Sequence, residues 1–403
     1  MIIQEQIKKL AKDYHAEMVS IRRHLHQHPE LSFQEFETSK FIQQKLKSYG
    51  IPFTTGHVKT GIIATIEGKA GKGKTVLLRG DMDALPIQEA NEVPYKSQNN
   101  GCMHACGHDV HSTCVLGAAK ILHDLRDHLY GTVKIMFQPG EEVLPGGASL
   151  MIKEGVLENP KVDKAIALHV HPSMPCGSVG FRQGMYMAST DELYITVQGK
   201  GGHAAMPQNY TNPLLIAANI LLEIEHTFMA PGALKNTAGE HIPTVVAFGK
   251  IEGRGATNVI PDTVSLAGTM RTMDESWRAN IHQKLQNIIE KFNAQTGLHS
   301  VLEIKHGYPF LVNHPEFTAT CQKAANHFLG AQFVEELPLR MTAEDFAFIS
   351  QKVPSCFFRL GTGNKAKNIQ AEVHTANFDI DENALEIGAG LMAWLTLNEM
   401  QQP

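Results

Sequence analysis

Between Gly101 and His111 the chain reads Gly101-Cys102-Met103-His104-Ala105-Cys106-Gly107-His108-Asp109-Val110-His111, which packs two cysteines, three histidines and an aspartate into one short segment. Thiolate, neutral imidazole and carboxylate are the side chains that bind zinc-like ions, and sulfur beside imidazole favours zinc, cobalt or nickel over magnesium or calcium. Cys106 and His108 are the first candidates as ligands, ahead of His104 and His111. Two carboxylate pairs stand elsewhere: Asp81 and Asp83 within Arg79-Gly80-Asp81-Met82-Asp83, and Glu141 beside Glu142 after Phe137-Gln138-Pro139-Gly140. Neighbouring glutamates on an extended or turning backbone point in different directions. One can therefore bind metal while the other takes a proton from a metal-activated water, whose pKa falls from about 15.7 to about 7. That division of labour suits hydrolysis of an amide; the plain alternative is a solvated surface pair. His169 offers a further ligand, with His171 two residues on as its rival. His24, His26 and His28 mimic a metal cluster, but positions i and i+2 do not share a helix face, so most of them read as surface groups or supports of the ligands.

The elements that must position these residues alternate along the chain. Amphipathic spacing predicts a helix from Met1 to Arg23, and Ser32 to Glu35 reads as a capping box opening a second helix that stops at Gly50. Strands are expected over 62–66, 76–78, 132–137 and 164–168, with helices from Asp109 to about Asp127 and from Ala148 to Glu154. Such alternation implies a layered α/β domain, in which ligands bind beyond the carboxyl ends of the strands. Asp81, Asp83, Glu141, Glu142 and His169 all follow such ends. From about Ala188 the order becomes βαββαβ, the split-βαβ ferredoxin-like unit. The expected organisation is a discontinuous catalytic domain, 1–187 and 309–403, interrupted by an inserted domain over 188–308.

Gly68-Lys69-Ala70-Gly71-Lys72-Gly73-Lys74-Thr75 matches the phosphate-loop pattern at every fixed position. A phosphate loop must lead from a strand into a helix whose N-terminus faces the phosphates. Here Thr75-Val76-Leu77-Leu78 reads as a strand, so the segment is expected to be the turn of a β-hairpin and nucleotide binding is set aside. The net charge of -5 comes with no long run of either sign, which argues against a nucleic-acid or membrane partner. The N-terminus lacks a signal peptide's apolar run and cleavage site, and no stretch approaches the roughly 18 apolar residues of a membrane span, so a cytoplasmic location is expected. Six cysteines in so long a chain are too sparse for a disulfide framework.

Further motifs appear in a fixed order. They are Arg22-Arg23-His24-Leu25-His26 with His28-Pro29-Glu30-Leu31-Ser32-Phe33, the segments at 79–86, 103–109 and 137–142, Gly199-Lys200-Gly201-Gly202-His203-Ala204-Ala205, Thr257-Asn258-Val259-Ile260-Pro261-Asp262, Gly268-Thr269-Met270-Arg271, and His374-Thr375-Ala376-Asn377-Phe378-Asp379. In these motifs, nearly end to end, the chain resembles the metallo-amidohydrolase family of hippurate hydrolases, N-acyl-L-amino acid amidohydrolases (aminoacylases) and auxin-conjugate (IAA-amino acid) hydrolases. The resemblance implies a zinc-peptidase-like α/β/α catalytic domain with an inserted ferredoxin-like βαββαβ lid. It implies two divalent ions per subunit (Zn, Mn, Co or Ni), held by Cys106, His108, Glu142, His169 and His374, with the thiolate shared. Glu141 becomes the general base, Asp81 and Asp83 stand behind the ligands, His203 steadies the oxyanion, and Asn258 and Arg271 hold the substrate's carboxylate. The lid is also the expected surface of a homodimer or higher homo-oligomer. The implied reaction frees an amino acid and a carboxylate from an N-acyl (acetyl, benzoyl or similar) amino acid. Competing readings are a dedicated enzyme such as an N-acetyl-diaminopimelate deacetylase, a dipeptidase, or a non-catalytic binding protein on the same fold; a retained Glu141 beside Glu142 argues against the last. One departure stands out: Met341-Thr342-Ala343-Glu344-Asp345-Phe346 carries Thr-Ala where relatives more often have Gly-Ser.

Overall fold

Apolar runs that are buried without alternation mark strands covered on both faces. In the computed structural model, which describes residues 3–229, 234–235 and 239–401, four such strands lie side by side in parallel: Tyr130–Gln138, Gly71–Asp81, Lys164–Pro175 and Ser355–Gly363. They form the centre of an eight-stranded sheet, edged by Phe53–His57 and Gly61–Glu67 on one side and by Val179–Phe181 and Val334–Glu336 on the other. All four point their carboxyl ends the same way, toward the segments that carry Asp83, Glu141, His169 and His374. The expected strand at 164–168 runs on to Pro175, so His169 lies within it rather than after it.

The expected hairpin at Gly68 to Thr75 does not form. Gly61–Glu67 and Gly71–Asp81 both pair with Tyr130–Gln138, which lies between them, antiparallel to the first and parallel to the second. Gly131, at φ +76°, makes this insertion close, and Gly68 N–H donates to its carbonyl at 2.8 Å. Thr75 still continues as strand, so the segment leads into no helix.

The helices Ile3–Gln27, His108–Asp124 and Ala384–Met400 pack on one another, and the last two also pack on the sheet; Met1 and Ile2 of the expected N-terminal helix lie outside the described residues. His108–Asp124 is buried along nearly its whole length, and its N-terminal half buries the polar side chains of His108, Asp109, His111, Ser112 and Thr113 as well as apolar ones. Its entry depends on Gly107, which has φ +83° and where an added Cβ would lie 2.6 Å from Val170 Cγ2. Only glycine combines that backbone with so close an approach. The second helix is Phe36–Ser48, and the expected capping box is not its cap: Glu30 accepts from the N–H groups of Glu37 and Thr38, while Ser32 Oγ turns away to Asp83 Oδ2 at 2.6 Å. A buried carboxylate is the stronger partner for that hydroxyl.

The chain divides into two compact units, Met1–Met185 with Val312–Leu339 and Asp345–Pro403, and Tyr186–Leu311 with Arg340–Glu344. The second unit has a four-stranded antiparallel sheet in the order Thr244–Glu252, Thr263–Thr272, Asp191–Gln198 and His299–His306, with helices Pro213–Met229 and Glu275–Thr296. With its first strand between the third and fourth, this is the split-βαβ order. Leu193, Ile195, Val197, Val264, Leu266, Ile281 and Leu285 give it an apolar core of its own. No helix among the described residues is long and apolar enough to cross a membrane.

Candidate metal centre

Cys106, on the turn that enters the His108–Asp124 helix, holds its Sγ 3.4 Å from His169 Nε2 and 3.3 Å from His374 Nε2. Glu142 Oε1 lies 3.2 Å from His374 Nε2 and 3.8 Å from His108 Nε2. The donor atoms thus form two groups, Cys106 with His108 and His169, and Cys106 with Glu142 and His374, which meet at the thiol. His374 is held in the left-handed region at φ +63°, where its N–H donates to Ala105 O at 2.7 Å. Such strained backbone persists where the surroundings over-determine it. Glu141, buried in the following turn, stands close to His108 and Glu142 but outside both thiol groups, and its Oε1 accepts from Asp345 N–H at 3.3 Å.

Hydrogen bonds behind these donors fix which nitrogen faces inward. His169 Nδ1 donates to Val170 O at 2.9 Å, leaving Nε2 as the lone-pair face toward Cys106. Asp83 Oδ1 lies 3.1 Å from His108 Nδ1, while its Oδ2 accepts from Glu142 N–H at 3.0 Å and from Ser32 Oγ. Asp81 accepts from His111 Nδ1 at 2.7 Å, and His111 Nε2 in turn accepts from Val170 N–H at 3.0 Å. His111 therefore spends both nitrogens on clamping the strand beside His169. His171 instead meets Ser173 Oγ through Nδ1. His104 is buried with neither nitrogen bonded, and burial pushes it down to about 4, so it stays neutral. His26 is not a surface group: it is fully buried between Asp109 and Glu89, and although burial and Arg22 oppose its charge, these carboxylates hold it above its ordinary value. His24, half-exposed, stacks on Phe41.

The donor set suits a divalent metal pair. His108 Nε2 and Glu142 Oε1 are buried and make no hydrogen bond, which is costly for polar atoms unless something else satisfies them. Burial, with Glu142 beside it, pushes the Cys106 thiol up, and Cys106 and Glu142 push the His374 imidazole up to about 10. Against the cost of burial, Arg79 and the imidazoles of His108 and His111 hold Asp81 well below the carboxylate range.

The other candidates lie in the second unit. His203 is exposed on the two-residue strand Gly202–His203, paired with Val259–Ile260, and Ala205 N–H donates to its Nδ1 at 3.1 Å. That bond leaves Nε2 carrying the proton, as a donor. Asn258 O accepts from Ala204 N–H, tying the two loops together. Arg271 is half-buried and forms no ion pair among the described residues; burial draws it below its ordinary value. The clamping role of His111, the bond from Ser32 and the contact from Asp345 to Glu141 were not expected from sequence; for Asp345 the Glu344-Asp345-Phe346 motif was the available signal.

Fold and donor set together are those of a metal-dependent hydrolase. Residues 77–398 match peptidase family M20/M25/M40, and the chain belongs to that family. It is 38% identical over 369 residues to an N-acetyl-L-cysteine deacetylase of Bacillus subtilis, covering 92% of this chain and 85% of that protein. It is 36% identical over 400 residues to IAA-amino acid hydrolase ILR1-like 5 of Arabidopsis thaliana, covering 98% and 89%. The crystal structure of the Bacillus subtilis YXEP protein, described as a dinuclear metal binding peptidase from the M20 family, superposes with a TM-score of 0.82 at 31% identity over 97% of this chain and 100% of that one. The chain is a metal-dependent amide hydrolase, and its donor groups correspond to a pair of divalent ions.

Proposed function

We propose that the protein hydrolyses the amide of N-acyl amino acids, releasing the free amino acid and a carboxylate. The observation that carries this reading is the split between the neighbouring glutamates: Glu142 stands with Cys106 and His374, while Glu141 stands outside both thiol groups with an oxygen held by Asp345 N–H. The metal pair, when bound, supplies Lewis acidity to the amide carbonyl and acidity to the attacking water. Glu141 takes the proton from that water and hands it to the leaving nitrogen, a general base turned general acid. His203 donates from Nε2 to the developing oxyanion. Arg271, a guanidinium fork with no ion pair of its own among the described residues, binds the substrate's carboxylate with Asn258. Cys106, His108, Glu142, His169 and His374 hold the two ions, whether zinc, manganese, cobalt or nickel, and Asp81 and Asp83 orient the ligands behind them. Residues 188–308 serve as lid and as the surface of a homodimer in the cytoplasm. The relatives named for deacetylating N-acetyl-L-cysteine and for hydrolysing IAA-amino acid conjugates support this substrate class.

The test is amine release from a panel of N-acetyl and N-benzoyl amino acids by chelated protein reloaded separately with each of the four metals. Metal-dependent turnover is expected. A metal-loaded protein that cleaves no member but hydrolyses a dipeptide or N-acetyl-diaminopimelate would move the assignment there. Glu141→Ala should keep both metal equivalents and lose at least about a hundredfold in kcat; loss of metal instead would exchange the roles of the two glutamates.

A further inference from the structure

We infer that Asp345, held by Arg79, is the positioning residue that sets the Glu141 carboxylate, an inference that rests on the reading of Glu141 as the base. Glu141 and Glu142 sit in the turn between the strand Tyr130–Gln138 and the helix Gly147–Lys153. Asp345, more than two hundred positions away, grips that turn at three places. Its Oδ2 accepts from Gln138 Nε2 at 2.6 Å before the turn and from Ala148 N–H at 3.0 Å after it. Its own N–H reaches Glu141 Oε1 within the turn. Asp345 is in turn fixed by Arg79, whose Nη2 donates to Oδ1 at 2.7 Å, whose Nε donates to Gln138 Oε1 at 2.9 Å and whose Nη1 donates to Asp81. Arg79, Gln138, Asp81 and Asp345 are all fully buried or within a percent of it. A buried ion pair is a doubtful source of stability, because desolvation offsets its attraction. It is a good source of fixed geometry, and misplacing a reacting group by about 1 Å can cost about a hundredfold in rate.

Asp345→Asn preserves size while turning one acceptor into a donor. In either rotamer a donor then faces a donor, at Gln138 and Ala148 or at Arg79. We expect kcat to fall about a hundredfold on the best substrate of the N-acyl amino acid panel, with KM changed less than threefold and two metal equivalents retained by elemental analysis. Arg79→Lys, which keeps the charge and loses the fork, should fall between the wild type and Asp345→Asn, at about a tenfold loss of kcat. It carries the same test if Asp345→Asn does not fold. A kcat within threefold of wild type would overturn the inference. So would activity lost in step with metal, which would make Asp345 a support of Glu142. Full turnover by Glu141→Ala would remove the base reading itself, and is distinguishable because it leaves the Asp345→Asn result unexplained by Glu141.

Discussion

Asp83 shows how one carboxylate organises a site: one oxygen faces Nδ1 of His108, and the other holds the backbone of Glu142. Groups behind the ligands set tautomer and aim, and their loss ordinarily costs about 10- to 100-fold in metal affinity. The same logic separates His169 from His171. Two positions apart on one strand, they face the same side of the sheet, so side-chain type and spacing leave the choice open. Geometry favours His169, which points a bare Nε2 at Cys106 while His171 Nδ1 meets Ser173 Oγ. His169→Ala should therefore weaken one of the two metal equivalents by at least about a hundredfold, read as metal retained on dialysis against graded chelator, whereas His171→Ala should keep both. The opposite pattern would hand the ligand role to His171.

At the scale of elements, the turn that presents the two glutamates is also gripped from the other side. Glu35, fully buried just before the helix Phe36–Ser48, accepts from Gly140 N–H and Phe33 N–H through Oε1 and from Thr60 Oγ1 through Oε2, each at 2.8 Å. Burial, with Asp83 nearby, raises this carboxyl from 4.5 to about 7. A carboxyl raised in the folded state binds more protons there than in the unfolded chain, so its contribution is most favourable below about pH 4.5 and is lost as pH rises through 7. Over that window Glu35→Gln should gain up to about 3 kcal/mol on the wild type, measured as the difference in urea unfolding between the two proteins. A difference that does not change with pH would place the titration elsewhere. Local sequence patterns reached these elements unevenly. The apolar runs and the helix entry after Gly107 were legible because burial and backbone freedom leave local marks. The capping box at Ser32 and the hairpin at Gly68 to Thr75 were misread because each depended on a remote competitor, Asp83 for the hydroxyl and the strand Tyr130–Gln138 for the pairing.

Across the whole molecule, the metal centre belongs to one of the two compact units and is assembled from both of its distant ends. Cys106 and His374 stand 268 positions apart, and the stretch between them contains the entire body of the second unit. This is why Cys106, His108 and the glutamate pair stood out from side-chain chemistry and order, while His374 needed the family motif: no spacing rule spans an inserted domain. The fully buried strand Ser355–Gly363, which brings the chain back toward His374, likewise carried no signal of its own beyond an apolar run. A metal pair bound at these donors would hold the first unit's segments together, and whatever binds only the folded state stabilises it, by about 4 kcal/mol when present at a thousand times its dissociation constant. Among the described residues the second unit contributes no donor to the two thiol groups, and it keeps its own core and its own buried Asp191–Arg278 pair. Chelation should therefore lower one thermal transition by about 10 °C, at roughly 2–4 °C per kcal/mol for a unit of this size, and leave a second transition in place. Scanning calorimetry with and without chelator would show two such peaks, with re-addition of metal restoring only the lower one. A single peak that moves as a whole would mean that the two units unfold as one cooperative block, and the independence argued from their separate cores would be lost.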